Sequence, residues 1–278
     1  MSILPFGYAT TAGMIRRQNE DSLCLRPDLG LWAVADGMGG HLAGETASRM
    51  TVELLAEEIA ANTGLVESIS RIHSRIAAFS RTDPSCESMG STVVAMRSDG
   101  RTYEIAWVGD SRAYLWDGET LRGLTRDHSY VQLLIDNGVI SETDAQHHPE
   151  RHVITQSLGS GDIGGLDVGS VHGAFHANER ILLCSDGLTG ELDESGISSI
   201  LKQGLPEQDL VDQLIEAANQ HGGTDNISAI LVGAGETLKT RQDNARMTEN
   251  RENRHFWLLM VIVFMLLLVS VVYVYDIL

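Results

Sequence analysis

Two periodicities alternate along the 278-residue chain. Within Gly44 to Ala61, the residues Ala47, Met50, Leu54, Leu55 and Ile59 recur at the spacing of one helix face. Leu65, Ile69, Ile72, Ile76 and Phe79 repeat that spacing, so a second amphipathic helix follows, closed by Asp83-Pro84. Short apolar runs at 22–25 and 31–35 read as strands parted by the turn Pro27-Asp28-Leu29-Gly30. Four more strands are predicted at 91–97, 102–108, 113–116 and 119–124, with Asp99-Gly100 and Asp117-Gly118 as hairpin turns. A short helix over 128–137, capped by Gly138, precedes a stretch from 140 to 165 that reads as a long surface loop. Strands at 167–172 and 180–184, a helix over 206–220 stopped by Gly222-Gly223, and a strand at 227–232 complete the pattern. Consecutive hairpins imply antiparallel pairing, so the expected class is an α+β sandwich, neither a barrel nor a doubly wound sheet.

The C-terminal part breaks this rhythm. Residues 256–275, FWLLMVIVFMLLLVSVVYVY, carry no charge. A helix of about twenty residues spans roughly 30 Å, the thickness of a bilayer core. Trp257 at one end and Tyr273 and Tyr275 at the other stand where interfacial aromatics belong. Lys239, Arg241, Arg246, Arg251 and Arg254 precede the run, which predicts a cytoplasmic N-terminal portion on a single-pass membrane anchor. The polar stretch 234–255 reads as a juxtamembrane linker near anionic lipid. The first eight residues have no secretory signal pattern.

Charge narrows the partners. The net charge of −18 argues against nucleic acid, whose binding needs an excess of Lys and Arg. The three cysteines, Cys24, Cys86 and Cys184, are widely spaced and form no CxxC, so they read as reduced thiols, with Cys184 packed in a core.

The chemistry lies in acids that end apolar runs. Leu31 to Ala35 ends in Asp36-Gly37, Ile181 to Cys184 leads through Ser185 to Asp186-Gly187, and Ile105 to Val108 leads through Gly109 to Asp110. Asp225 directly precedes the last strand. One such acid is a common turn residue. Four strand ends gathered at one edge of a sandwich would repel one another unless cations or protons intervene. All-oxygen ligands select hard ions such as Mg²⁺ or Mn²⁺, and an Asp shared by two ions is the pattern of a binuclear hydrolytic site. Arg16-Arg17 ahead of Glu20-Asp21 adds a guanidinium fork suited to phosphate, although taken alone that segment reads better as a salt-bridged turn.

Six segments occur in order: Gly13 to Asp21 (GMIRRQNED), Asp36 to Gly40 (DGMGG), Gly90-Ser91-Thr92, Val108 to Arg112 (VGDSR), Ser185-Asp186-Gly187 and Thr224-Asp225-Asn226. Together they resemble the metal-dependent protein serine/threonine phosphatases, the PPM or type 2C family, in its bacterial form, over about residues 5–233. His148 to Arg151 and Leu158-Gly159 are similar to that family's flap. The resemblance implies a four-layer αββα sandwich of two antiparallel sheets between helix layers. It implies that Asp36 bridges two Mn²⁺ or Mg²⁺ ions, with the Gly37 carbonyl completing one and Asp186 and Asp225 the other. Glu20 and Asp21 are expected to hold metal-bound waters, Arg16 the substrate phosphate, and Asp110 a third, weaker ion. The implied reaction is in-line attack of an activated water on phosphoserine or phosphothreonine in proteins, opposing a serine/threonine kinase of the same pathway. Met38 departs from the family pattern. Many eukaryotic members carry a histidine there that protonates the leaving alkoxide, and Met cannot, which leaves the general acid open, with metal-bound water as one candidate. His41, close by, is read as packing or facing solvent. The competing reading is a phosphatase-like module at the membrane that senses or scaffolds without turnover. A metallo-phosphoesterase of another class is disfavoured by the acidic charge and by the lack of a histidine-rich ligand set.

Overall fold

The computed structural model describes residues 3–39, 42–82, 86, 88–160 and 165–235, within a unit that runs from Met1 to Gly235. The linker from Glu236 onward and the apolar run 256–275 lie outside the described residues, as does His41. Among the described residues no helix is long and apolar enough to cross a membrane.

Eleven strands among these residues form two antiparallel sheets. One sheet holds β1 (Phe6–Thr11), β11 (Ile227–Gly233), β10 (Arg180–Cys184), β7 (Arg112–Trp116) and β8 (Leu121–Gly123), in that spatial order. The other holds β2 (Asp21–Arg26), β3 (Leu31–Met38), β5 (Val93–Ser98), β6 (Thr102–Val108) and β9 (Gly169–Ala174), with the two-residue β4 (Gly90–Ser91) on the end of β3. Both expected hairpins form, β5 with β6 and β7 with β8. The strands β6 and β7 do not pair: at Gly109-Asp110-Ser111 the chain leaves one sheet for the other. That switch brings Asp110 to the shared edge.

The sheets stack through β10 and β11 against β2, β3 and β5. Strand alternation explains how both faces of β3 are buried. Leu31, Ala33 and Ala35 join the core under α1 (Leu42–Ala60) and α2 (Leu65–Ser80). Trp32 and Val34, fully buried, point the other way, and Trp32 meets Phe6 of the opposite sheet edge-on at 5.9 Å. On the far side, Leu182, Cys184, Ala229 and Leu231 pack under α5 (Asp186–Glu191), α6 (Glu194–Leu201) and α7 (Glu207–His221). The result is helices, sheet, sheet and helices, as the resemblance implied.

The four predicted helices fall within two residues of the observed ends, while α4 (Glu142–Gln146), α5 and α6 have no predicted counterpart. Phe79 leaves the apolar stripe of α2 and is exposed, because the core beneath ends at Ile76. The 140–165 loop contains α4, started by a capping box in which Ser141 and Asp144 exchange bonds. Ahead of it α3 (Tyr130–Asp136) is capped by Ser129 and buries no residue, so it rides on the surface. All three cysteines are buried and none is in a disulfide among the described residues, and burial pushes the Cys184 thiol up to about 12.

Candidate active site

The site lies at one end of the sandwich, where five strand ends meet. Asp36 follows Trp32 and Val34 in the alternation, so it faces the opposing sheet. Its direct partner across the β2–β3 ladder is Asp21. Like charges directly opposite repel, which no structural purpose of the sheet alone explains. Asp186 opens α5 just past β10, Asp225 precedes β11, and Asp110 sits at the crossing between sheets.

Small residues and hydroxyls hold these acids together. Thr92 donates from its backbone N to the Asp36 carbonyl at 2.8 Å, and its hydroxyl accepts from the Asp36 N–H at 3.1 Å. The same hydroxyl meets Ser111 Oγ at 2.8 Å, beside Asp110. The Gly90-Ser91-Thr92 segment is therefore a clamp between Asp36 and Asp110. Ser185 Oγ donates to Asp21 Oδ2 at 2.9 Å and accepts from Ser228 N at 3.0 Å. For that reason Ser185 makes no side-chain cap on α5, although it stands at the N-cap position. Asn226 accepts from Glu20 N at 2.7 Å and donates to the carbonyls of Gln18 at 2.8 Å and Ala12 at 3.3 Å. It ties the Arg16–Asp21 segment to β11. A side chain on Gly37 would strike the Gly44 carbonyl, and one on Gly44 would strike the Glu20 carboxylate, so both glycines allow β3, α1 and Glu20 to crowd together.

Charge shows how tightly the acids are gathered. Burial first, then the charges of Asp21, Asp186, Asp110 and Asp225, push the Asp36 carboxyl well above the usual range. Burial raises Asp21 to about 7, against bonds from Ser228 and Ser185 that lower it and with Asp186 and Asp225 raising it further. Asp110 is raised to about 8 by burial and by Asp186 and Asp127. Asp186 is raised by burial and Asp225, and it lies close enough to Asp36 to share a proton with it. Asp21 Oδ1 and Asp186 Oδ1 are buried and have no hydrogen-bond partner among the described residues. Buried, unpaired carboxylate oxygens among mutually repelling acids suit a hard divalent cation, so the donor set fits the implied ions. Among the described residues, no three such side chains already enclose one point. Asp225 instead takes a hydrogen bond from Arg16 at 2.8 Å, and this pair is open to solvent, with side-chain exposures of 57% and 39%.

The structure thus brings Asp21, Asp36, Asp110, Asp186 and Asp225 to one place, with Gly37, Glu20 and Arg16 at its border. Thr92, Ser111, Ser185 and Asn226 are supporting residues outside the predicted set. All four belong to the segments quoted above, but their spacing alone did not show what they hold. A groove of about 1070 Å³ leads away from Asp110 and Asp186, between Arg112 and Asp127 on one side and the 142–152 segment on the other. Arg112 grips Asp127 with two nitrogens, Nε at 2.9 Å and a terminal nitrogen at 2.7 Å. The segment returns to the sandwich where Ser91 and Leu158 exchange backbone bonds of 3.1 and 2.8 Å.

Two antiparallel sheets between helices, with strand-end acids at one edge, define a class of hydrolase that comparison with known proteins identifies. The family model for protein phosphatase 2C matches residues 16–232. The serine/threonine phosphatase stp of Listeria monocytogenes is 37% identical over 249 residues, covering 84% of this chain and 97% of its own length. The crystal structure of the Mycobacterium tuberculosis serine/threonine phosphatase PstP superposes with a TM-score of 0.75 at 33% identity, over 83% of this chain and 98% of that one. The PstP catalytic domain in complex with two manganese ions gives 0.72 at 32% identity, over 83% and 97%. The chain belongs to the protein phosphatase 2C family and is a serine/threonine phosphatase.

Proposed function

We propose that the chain hydrolyses phosphoserine and phosphothreonine in proteins with two divalent ions, Mn²⁺ or Mg²⁺, held by Asp36, the Gly37 carbonyl, Asp186 and Asp225. The mutual charge of the strand-end acids is the observation that carries this reading, because divalent cations held among them relieve it. When bound, such ions activate water as Lewis acids and neutralise charge gathering on the phosphoryl oxygens. Asp36, placed between the two sheets, is the residue that would span both ions. Glu20 and Asp21 would hold water bound to these ions, and Asp110 would take a third, weaker ion. Arg16 stands at the rim with an exposed fork, anchored by Asp225, and binds the substrate phosphate. The direct test is release of phosphate from a phosphothreonine peptide with Mn²⁺. Turnover that EDTA abolishes, and that nucleotides do not show, supports the reading; turnover on nucleotides alone contradicts it.

The domain limits 5–233, the linker 234–255 and the anchor 256–275 belong to the same proposal. The uncharged twenty-residue run, its terminal aromatics and the basic residues before it support a single-pass anchor with the catalytic domain in the cytoplasm. A serine/threonine kinase that phosphorylates the same substrates is the functional counterpart.

A further inference from the structure

Breaking a phosphothreonine ester expels an alkoxide, which must acquire a proton. Met38, opposite Gly90 on β4, has none to give. The acids at the strand ends are committed to cations under the proposed function, and a guanidinium does not give up its proton at neutral pH. An imidazole is the remaining side chain suited to the task at neutral pH.

Eight histidines lie among the described residues, and seven, including His221, which lines the same groove, bond to or pair with a neighbouring group. His128 accepts from Gly109 N and lies against Trp107. His221 bonds the Ala217 carbonyl, His147 that of Thr143, and His148 accepts from Glu150 N. His73 accepts from Gly159 N, and His172 and His176 pair with Glu104 and Glu179 far from the site. His152 has neither hydrogen bond nor ion pair among the described residues, is exposed, and lines the groove that Asp110 and Asp186 also line. It stands close enough to Asp186 to lower that carboxyl against the effect of burial. The backbone that carries it is fixed: Arg151 N bonds His148 O, Val153 N bonds Glu150 O, Tyr130 N bonds Val153 O, and Thr155 N bonds His128 O at 2.7 Å. An imidazole without a hydrogen bond among the described residues is thus held on a pinned loop at the wall of the groove.

We propose that His152 is the proton donor to the leaving seryl or threonyl oxygen, in place of a histidine at the Met38 position. The assignment rests on the phosphatase reading. Water oxygen bonds to phosphorus as the bond from phosphorus to Oγ breaks, with the electron pair passing to Oγ. The His152 imidazolium gives its proton to Oγ, leaving the free hydroxyl of the protein. The attacking water loses a proton to solvent, inorganic phosphate departs, and solvent reprotonates the ring.

The test uses the full chain with Mn²⁺ and compares H152Q with wild type on two substrates. On a phosphothreonine peptide kcat should fall about 100-fold, the lower end of general-acid contributions. On p-nitrophenyl phosphate, whose phenolate leaves without a proton, kcat should stay within about threefold, which also shows that the variant is folded. An equal fall on both substrates, an unchanged peptide kcat, or a change in peptide KM alone overturns the assignment while leaving the phosphatase reading intact. A wild-type chain inactive on both substrates overturns the two together.

Discussion

Replacing Asp21 with Asn separates electrostatic repulsion from every other contribution this residue makes. Asp21 is 7% exposed and faces Asp36 across the ladder. Its carboxyl is raised from an ordinary 3.8 to about 7 in the folded protein. At about 1.4 kcal/mol per unit, keeping it ionised costs the fold on the order of 4 kcal/mol. A raised carboxylate pKa means that the native state binds more protons than the unfolded one. Stability therefore falls as pH rises from about 4 to about 7 and is level above that. Asn keeps the acceptor for Ser185 and removes the charge. With neighbouring acids able to shed protons in its stead, roughly half of the cost is recovered, about 2 kcal/mol. For a unit of this size that is about 4–8 °C in Tm. In EDTA at pH 8, D21N should melt above wild type by that margin, and at pH 4 the two should coincide. Saturating Mn²⁺, at a hundredfold excess over Kd, should raise wild type by about 2.7 kcal/mol and cancel or invert the order. Melting followed by far-UV circular dichroism at both pH values reads this directly. A variant less stable than wild type by the same amount at pH 4 and pH 8 would refute the reasoning, since packing and the Ser185 bond would then outweigh charge.

Gly37→Ala should lose about 1–3 kcal/mol in urea denaturation, because the added methyl meets the backbone of Gly44 and Glu20 and neither can swing away. Asn226→Ala leaves Glu20 N and two carbonyls without their partner, so it should cost about 3 kcal/mol and lower peptide turnover as well; a loss below about 0.5 kcal/mol would contradict the clamp. Arg16→Ala should change stability by less than about 1 kcal/mol, as exposed ion pairs do. The same variant should raise KM for a phosphopeptide about tenfold, through loss of a charged hydrogen bond to phosphate. The full chain should pellet with membranes, and a chain ended at Gly235 should not, while both hydrolyse phosphopeptide with equal kcat; equal distribution of the two would refute the anchor.

The larger elements were legible because each carries its own period. The stripe from Leu65 to Ile76 and the buried runs of β3 and β10 need no partner to be seen. Elements that escaped are short or depend on neighbours. The six residues of α5 include two glycines and are helical because Asp186 opens a turn beneath α7. Polar β1 is a strand because β11 offers it a ladder, with Thr10 bonded to Ser228. The acids of the site were visible as carboxylates ending apolar runs, a costly arrangement that asks for a reason. Ser185, Thr92 and Asn226 were harder to read, since hydroxyl and amide residues serve any turn and show their targets only when distant strands meet. His152 lay in a stretch read as a long loop, whose sequence cues were the resemblance of His148 to Arg151 and of Leu158-Gly159 to the family's flap.

The central claim is that acids from separate strand ends trap two divalent ions around Asp36. Calorimetric titration of the full chain with Mn²⁺, alongside Asp36→Asn, tests it most directly. Wild type should take up two ions per chain, and the variant should lose both tight sites together with phosphopeptide turnover. A wild type that binds no Mn²⁺, or an Asp36→Asn chain that binds the same two ions and still turns over, would contradict it.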